Sequence, residues 1–166
     1  MRFTYCGKKN KTDDFGNVIK TFPPCAEIDY KAAEADSVTA MLEESGRHYD
    51  LFATEESSYF AQVEVSDKAD YEDFAQDCKE ILYRIKHSVG DKVFIIVKDS
   101  NFRPTVKVGV IMQMTKDEIR ISEPNRYRGI AHNEWTFPWT ALRHEIFDNK
   151  QTACNALERI EGKRGR

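Results

Sequence analysis

Residues 90–147 constrain the fold more than any other part of the chain, because they read as one complete small β-barrel. Gly90 and Asp91 form a turn, and Val93, Phe94, Ile95, Ile96 and Val97 then make a dense apolar strand. A break over residues 99–104 leads into a long strand at 105–115, a tight turn at Lys116 and Asp117, and a third strand at 118–122. Trp135, Phe137, Pro138 and Trp139 close the stretch, with Ala141 and Leu142 behind them. Gly109, inside the long strand, fits the sharp bend that a small barrel requires.

In this order of elements the region resembles the SH3-like barrels, and it does so in fold pattern alone. The resemblance implies a bent second strand around Val108, Gly109 and Val110, and a closing strand with a short helical turn near Leu142. Such barrels commonly bind a ligand on their loops or edges, an implication by analogy.

The preceding residues alternate strand and helix signals. Residues 2–6 and 18–22 read as two short strands joined by a long hairpin loop over 7–17, with Pro23 and Pro24 ending the second. Ala35, Val38, Met41 and Leu42 recur at helical spacing within 31–45, and Gly46 is placed to stop that helix. Residues 50–56 carry no clear signal. Over 58–65, Tyr59, Ala61, Val63 and Val65 alternate onto one face of a strand. The strongest helix spans 67–88, with a stripe of Tyr71, Phe74, Ala75, Cys78, Ile81, Leu82 and Ile85. Acidic residues in its first turns and basic ones in its last match the helix dipole. A final helix over 149–161, capped by Asp148, precedes a basic tail.

The expected architecture is therefore α+β: an N-terminal αβ region over 1–89, then an SH3-like β-barrel and a short terminal helix over 90–166. At 166 residues the chain suits one domain, or one with a sizeable extension. No apolar run reaches the ~18 residues of a membrane span, and the first residues lack the pattern of a secretory signal. Cys6, Cys25, Cys78 and Cys154 are scattered, with no CxxC pair, so a cytoplasmic protein with reduced thiols is the simplest expectation.

The total formal charge of −3 hides an asymmetry. Residues 29–80 hold fifteen Asp/Glu against four Lys/Arg, a net of −11, whereas residues 91–166 carry +4. Each part can therefore meet a different partner.

The loop joining the third and fourth barrel strands contains Arg126, Tyr127 and Arg128. Arginines flanking an aromatic ring pair with phosphate while the ring stacks on a base. Arg103, Lys107, Arg120 and Arg143 extend that patch if they share its face, and Lys8, Lys9 and Lys11 offer another contact, diluted by Asp13 and Asp14. The ordinary reading of the loop is a solvated hairpin. Trp135 and Trp139 suit an aromatic pocket for a proline-rich or cationic peptide, though at least one belongs in the core. The acidic segment supplies Glu43, Glu44, Glu55, Glu56, Asp70, Glu72, Asp73, Asp77 and Glu80, carboxylates able to imitate DNA phosphates or dock a basic protein.

Catalytic signals are weak: no P-loop, GxGxxG, GxSxG or HExxH occurs, and no metal or cofactor is implied. His132 near Glu134 and His144 beside Glu145 are pairs that chance supplies freely. The favoured expectation is a non-catalytic binding or regulatory protein that contacts nucleic acid, or a nucleic-acid-bound complex, through the barrel loop. The alternative is an acidic inhibitor or adaptor docking a basic protein, of the kind viruses and mobile elements encode. An enzyme of unknown class comes third.

Overall fold

The computed structural model describes residues 1–54, 56, 58–124 and 133–165. The chain divides into two compact units, Met1–Lys86 and His87–Arg166.

The first unit is a four-stranded antiparallel sheet with two helices packed on one face. Its strands are β1 (Arg2–Cys6), β4 (Cys25–Tyr30), β5 (Tyr49–Ala53) and β6 (Tyr59–Glu64), in the order β1-β4-β6-β5. A 3-10 turn at Ala32–Glu34 leads into α1 (Ala35–Ser45), and α2 (Lys68–Lys86) follows β6. Alternate residues of β4 and β6 (Ala26, Ile28, Tyr30, Ala61 and Val63) meet Val38, Met41, Leu42, Phe74, Cys78 and Ile81 from the helices in one buried core. The α2 stripe thus faces the sheet as its 3.6-residue spacing requires. Gly46 ends α1 at φ 68, a left-handed position open to glycine at little cost.

Two expectations for this unit are corrected. Residues 2–6 do not pair with 18–22; β1 pairs with β4, a strand that the Pro23–Pro24 break concealed. The supposed loop contains β2 (Lys9–Thr12), which pairs with β3 (Val18–Phe22) as a separate two-stranded ribbon.

Arg47 and Asp70 fasten the start of α2. The guanidinium donates to both carboxylate oxygens at 2.9 and 2.7 Å, and Ser66 donates its backbone N–H and hydroxyl at 2.8 and 3.0 Å. Arg47, with Ser66, holds the Asp70 carboxyl well below the usual aspartate range. A depressed folded pKa stabilises fully above the unfolded value of about 3.9 and loses that contribution as pH falls through the lowered value. Asp70→Asn should therefore lower the urea midpoint at neutral pH, with the gap to the natural chain narrowing towards strong acid; helical circular dichroism reads it.

The second unit carries β7 (Lys92–Lys98), β8 (Pro104–Met114), β9 (Glu118–Ser122), β10 (Glu134–Pro138), a 3-10 turn at Trp139–Arg143, β11 (Ile146–Phe147) and α3 (Lys150–Arg164). The strands form one antiparallel sheet in the order β10-β9-β8-β7-β11. The expected barrel does not close: among the described residues β10 and β11 remain the two edges, and no sheet forms a ring. A meander with a returning strand follows from local pattern, but closure needs an edge-to-edge pairing that no local pattern encodes.

One face of this sheet buries Val93, Ile95, Ile111, Ile119, Ile121 and Phe137. On the other, Ala153, Ala156, Leu157 and Ile160 of α3 pack with Phe94, Ile96, Val106 and Phe147. Trp139 is buried and donates its indole N–H to the Thr115 carbonyl at 3.0 Å, whereas Trp135 is half-buried. Gly109 serves close approach: a Cβ there would overlap the Ile121 Cγ2 methyl. The irregularity in β8 falls between Ile111 and Gln113, where one extra residue shifts the register.

The cap of α3 is Asn149, not Asp148. Its side chain accepts from the Thr152 backbone N–H and hydroxyl, both at 2.8 Å, while Asp148 meets His87 Nε2 at 2.7 Å. Asn149→Ala should cost about 1 kcal/mol of this unit's stability, measurable by thermal denaturation.

Candidate nucleic-acid interface

Of the basic residues expected to extend one patch, Lys107 and Arg120 are placed on opposite faces of a sheet. Arg126, Tyr127 and Arg128 lie outside the described residues, as does Glu55 of the acidic set. Arg103 is exposed in the loop between β7 and β8, and Arg143 ends the 3-10 turn. Lys107 stands opposite Ile95, on the face of the buried sheet residues, with its ammonium 5.7 Å from the Trp135 ring and 3.4 Å from a Glu123 carboxylate oxygen. Arg120 lies between Ile119 and Ile121, so its side chain points to the opposite face, where Glu134 approaches at 3.8 Å. Period-two alternation separates Lys107 from Arg120, and a carboxylate offsets each charge.

The acidic set also divides. Asp70 is held by Arg47, Glu44 pairs with Arg84 at 3.2 Å, and Glu43 accepts from the Tyr49 hydroxyl at 3.3 Å. Glu80 is half-buried and accepts from Gln76 Nε2 at 3.2 Å. Glu72, Asp73 and Asp77 stay exposed on α2.

The β2–β3 ribbon does concentrate one chemistry. None of its strand residues is buried, and it pairs with no other sheet among the described residues. Cross-strand partners share a face, so Lys9 opposite Phe22 and Lys11 opposite Lys20 put three ammonium groups and one aromatic ring on one side. Lys20 Nζ lies 4.8 Å from the Phe22 ring centroid. The opposite side is neutral, with Thr21 donating to Asn10 Oδ1 at 3.0 Å. Ile19 is the extra residue where the register shifts.

Asp13 is built into the tip, accepting from the N–H groups of Phe15 and Asn17 at 2.9 Å each and from the Asn17 amide at 3.1 Å. Those bonds, led by Asn17, lower the Asp13 pKa. Its charge sits beyond the Lys11–Lys20 pair, at the turn that Gly16 completes with φ 83.

Two lysines directly opposite each other destabilise a sheet by up to about 1 kcal/mol, and an isolated two-stranded ribbon is already marginal in water. An anion lying across the pair reverses the sign of that interaction. The sequence signal was present as Lys9, Lys11, Lys20 and Phe22 at period two, but only 18–22 read as a strand, because β2 lacks the apolar alternation by which strands are recognised.

A hollow of about 440 Å³ in the second unit is lined by Ile96, Val97, Lys98, Pro104, Trp135, Phe137, Glu145 and Ile160. It is predominantly apolar. Among the described residues no three His, Cys, Asp or Glu side chains converge in a metal-binding cluster, and no helix is long and apolar enough to cross a membrane.

No protein-family model, curated protein or solved structure matches the chain.

Proposed function

We propose that the protein is a non-catalytic binding factor that contacts nucleic acid through the Lys9, Lys11, Lys20 and Phe22 face of the β2–β3 ribbon. The observation that carries this reading is the directly opposed Lys11–Lys20 pair beside an exposed aromatic ring. Three ammonium groups follow a phosphate backbone, and Phe22 offers a stacking surface to an unpaired base, which favours single-stranded segments. The contact thus moves from the loop between β9 and β10 to the ribbon. The strand order of the second unit, with a 3-10 turn before β11, supports reading it as an open relative of the SH3-like fold in a structural or protein-binding role.

Fluorescence anisotropy with a labelled single-stranded oligonucleotide tests the reading. Each neutralised phosphate contributes a salt slope of about 0.7, so three contacts lower affinity about 20-fold between roughly 50 and 200 mM salt. Absence of binding at the lower salt would refute nucleic-acid contact.

The exposed Glu72, Asp73 and Asp77 on α2 favour a second reading, a docking face for a basic protein. Charge reversal at Glu72 and Asp73 would weaken such a complex and leave oligonucleotide binding in place.

A further inference from the structure

The ribbon has a chemical feature at its root. Cys6, the last residue of β1, stands directly opposite Cys25, the first residue of β4. The chain leaves the four-stranded sheet at Cys6, runs through β2 and β3, and returns at Cys25, so the two thiols flank the ribbon's base. Directly opposed residues of an antiparallel pair have Cα atoms about 4.5–5.5 Å apart, within the roughly 4.4–6.8 Å that a disulfide spans. Both thiols are free and half-buried, and both line an open hollow of about 240 Å³ together with Lys9, Phe22, Glu27 and Gln62. A small oxidant therefore has access to them.

We propose that Cys6 and Cys25 form a reversible disulfide that staples the root of the β2–β3 ribbon, with a low-molecular-weight disulfide such as oxidised glutathione as the oxidant. One cysteine thiolate attacks a sulfur of the glutathione disulfide, forming a protein–glutathione mixed disulfide and expelling one glutathione thiolate. The second cysteine thiolate attacks the protein sulfur of that intermediate, forming the Cys6–Cys25 bond and expelling the second glutathione. The two cysteines give two electrons to the oxidant, and their two protons pass through solvent to the two expelled glutathione thiolates, so the oxidant ends as two thiols. Burial, then the neighbouring Cys6, pushes the Cys25 thiol up from its ordinary value, consistent with two thiols held close together.

Cys78 does not compete. It is fully buried in the first core, where burial pushes its thiol up to about 12. Cys154 lies on α3, in the second unit. The bond closes a loop of about 20 residues that contains the whole ribbon, restricting both strands in the unfolded chain. The proposal concerns the thiols alone and holds whatever the ribbon binds.

The test exposes the folded, full-length protein to oxidised glutathione at about pH 8, where ordinary thiols ionise in part, followed by alkylation and peptide mass mapping. The expected product lacks two hydrogen atoms, yields one linked peptide joining Cys6 to Cys25, and reverts with dithiothreitol. In Cys25→Ser the mixed disulfide with glutathione should persist at Cys6, because the resolving thiol is gone. Two free, alkylated thiols in the natural protein, or glutathione retained on either one, would overturn the proposal. A link from Cys6 to Cys78 or Cys154 would overturn it equally.

Discussion

Replacing Lys9, Lys11 and Lys20 together with alanine should abolish most of the salt dependence of oligonucleotide binding. Each lysine that neutralises a phosphate contributes a slope of about 0.7, so the triple variant loses about 2 in slope and the roughly 20-fold sensitivity that goes with it. Phe22→Ala acts on another quantity. It should cost about 1–3 kcal/mol of binding through lost stacking and leave the slope nearly intact. Lys11→Glu separates function from folding. Glutamate opposite Lys20 turns a repulsive cross-strand pair into an attractive one, worth about 0.2–1 kcal/mol to the ribbon. Binding should fall while ribbon stability rises. A purely structural ribbon would show no such opposition.

The second large effect lies in the other unit. Gly109→Ala places a methyl group onto Ile121 Cγ2, with the Ser122 carbonyl oxygen 3.6 Å and Ile121 Cβ 3.8 Å away. Ile121 is completely buried, and the obstructing methyl is fixed to Cβ, so it cannot swing aside as the end of a long side chain would. Overpacking of this kind costs about 1–3 kcal/mol, and each kcal/mol lowers the Tm of a unit this size by about 4–8 °C. Trp135 and Trp139, the only tryptophans in the chain, both lie in this unit, so tryptophan fluorescence reports its unfolding selectively. Leucine has no methyl on Cβ. In an Ile121→Leu background the penalty of Gly109→Ala should shrink, and a double-mutant cycle would measure the coupling.

Elements that bury one face were legible, because burial writes a period into the sequence. The stripe containing Phe74, Cys78 and Ile81 located α2, and Ala61 and Val63 located β6. The same logic explains the failures. β3 was legible at 18–22, but β2 buries no residue and displays no apolar alternation, and the turn residues around Asp13 and Gly16 made residues 7–17 look like a loop. β4 did carry an alternating signal in Ala26, Ile28 and Tyr30, but Pro23 and Pro24 drew attention to a boundary and hid the strand behind it. Gly109 makes room for Ile121 across the strand pair, a contact that only the register reveals.

Lys107 and Arg120 separate for a similar reason. Lys107 and Arg120 are near each other in sequence, yet the extra residue between Ile111 and Gln113 and the alternation of β9 direct them to opposite faces of one sheet. Lys11 and Lys20 are far less conspicuous in sequence, and the ribbon register sets them directly opposite each other. Charge position within a sheet depends on register, which composition does not contain.

The most direct test of the ribbon as the contact surface is a backbone amide NMR titration of the full-length protein with a single-stranded oligonucleotide at low salt. The largest shift changes should fall within residues 9–22, centred on Lys11, Lys20 and Phe22, and should vanish in the triple alanine variant. Changes confined to residues 87–166, with the ribbon resonances unmoved, would contradict a ribbon contact.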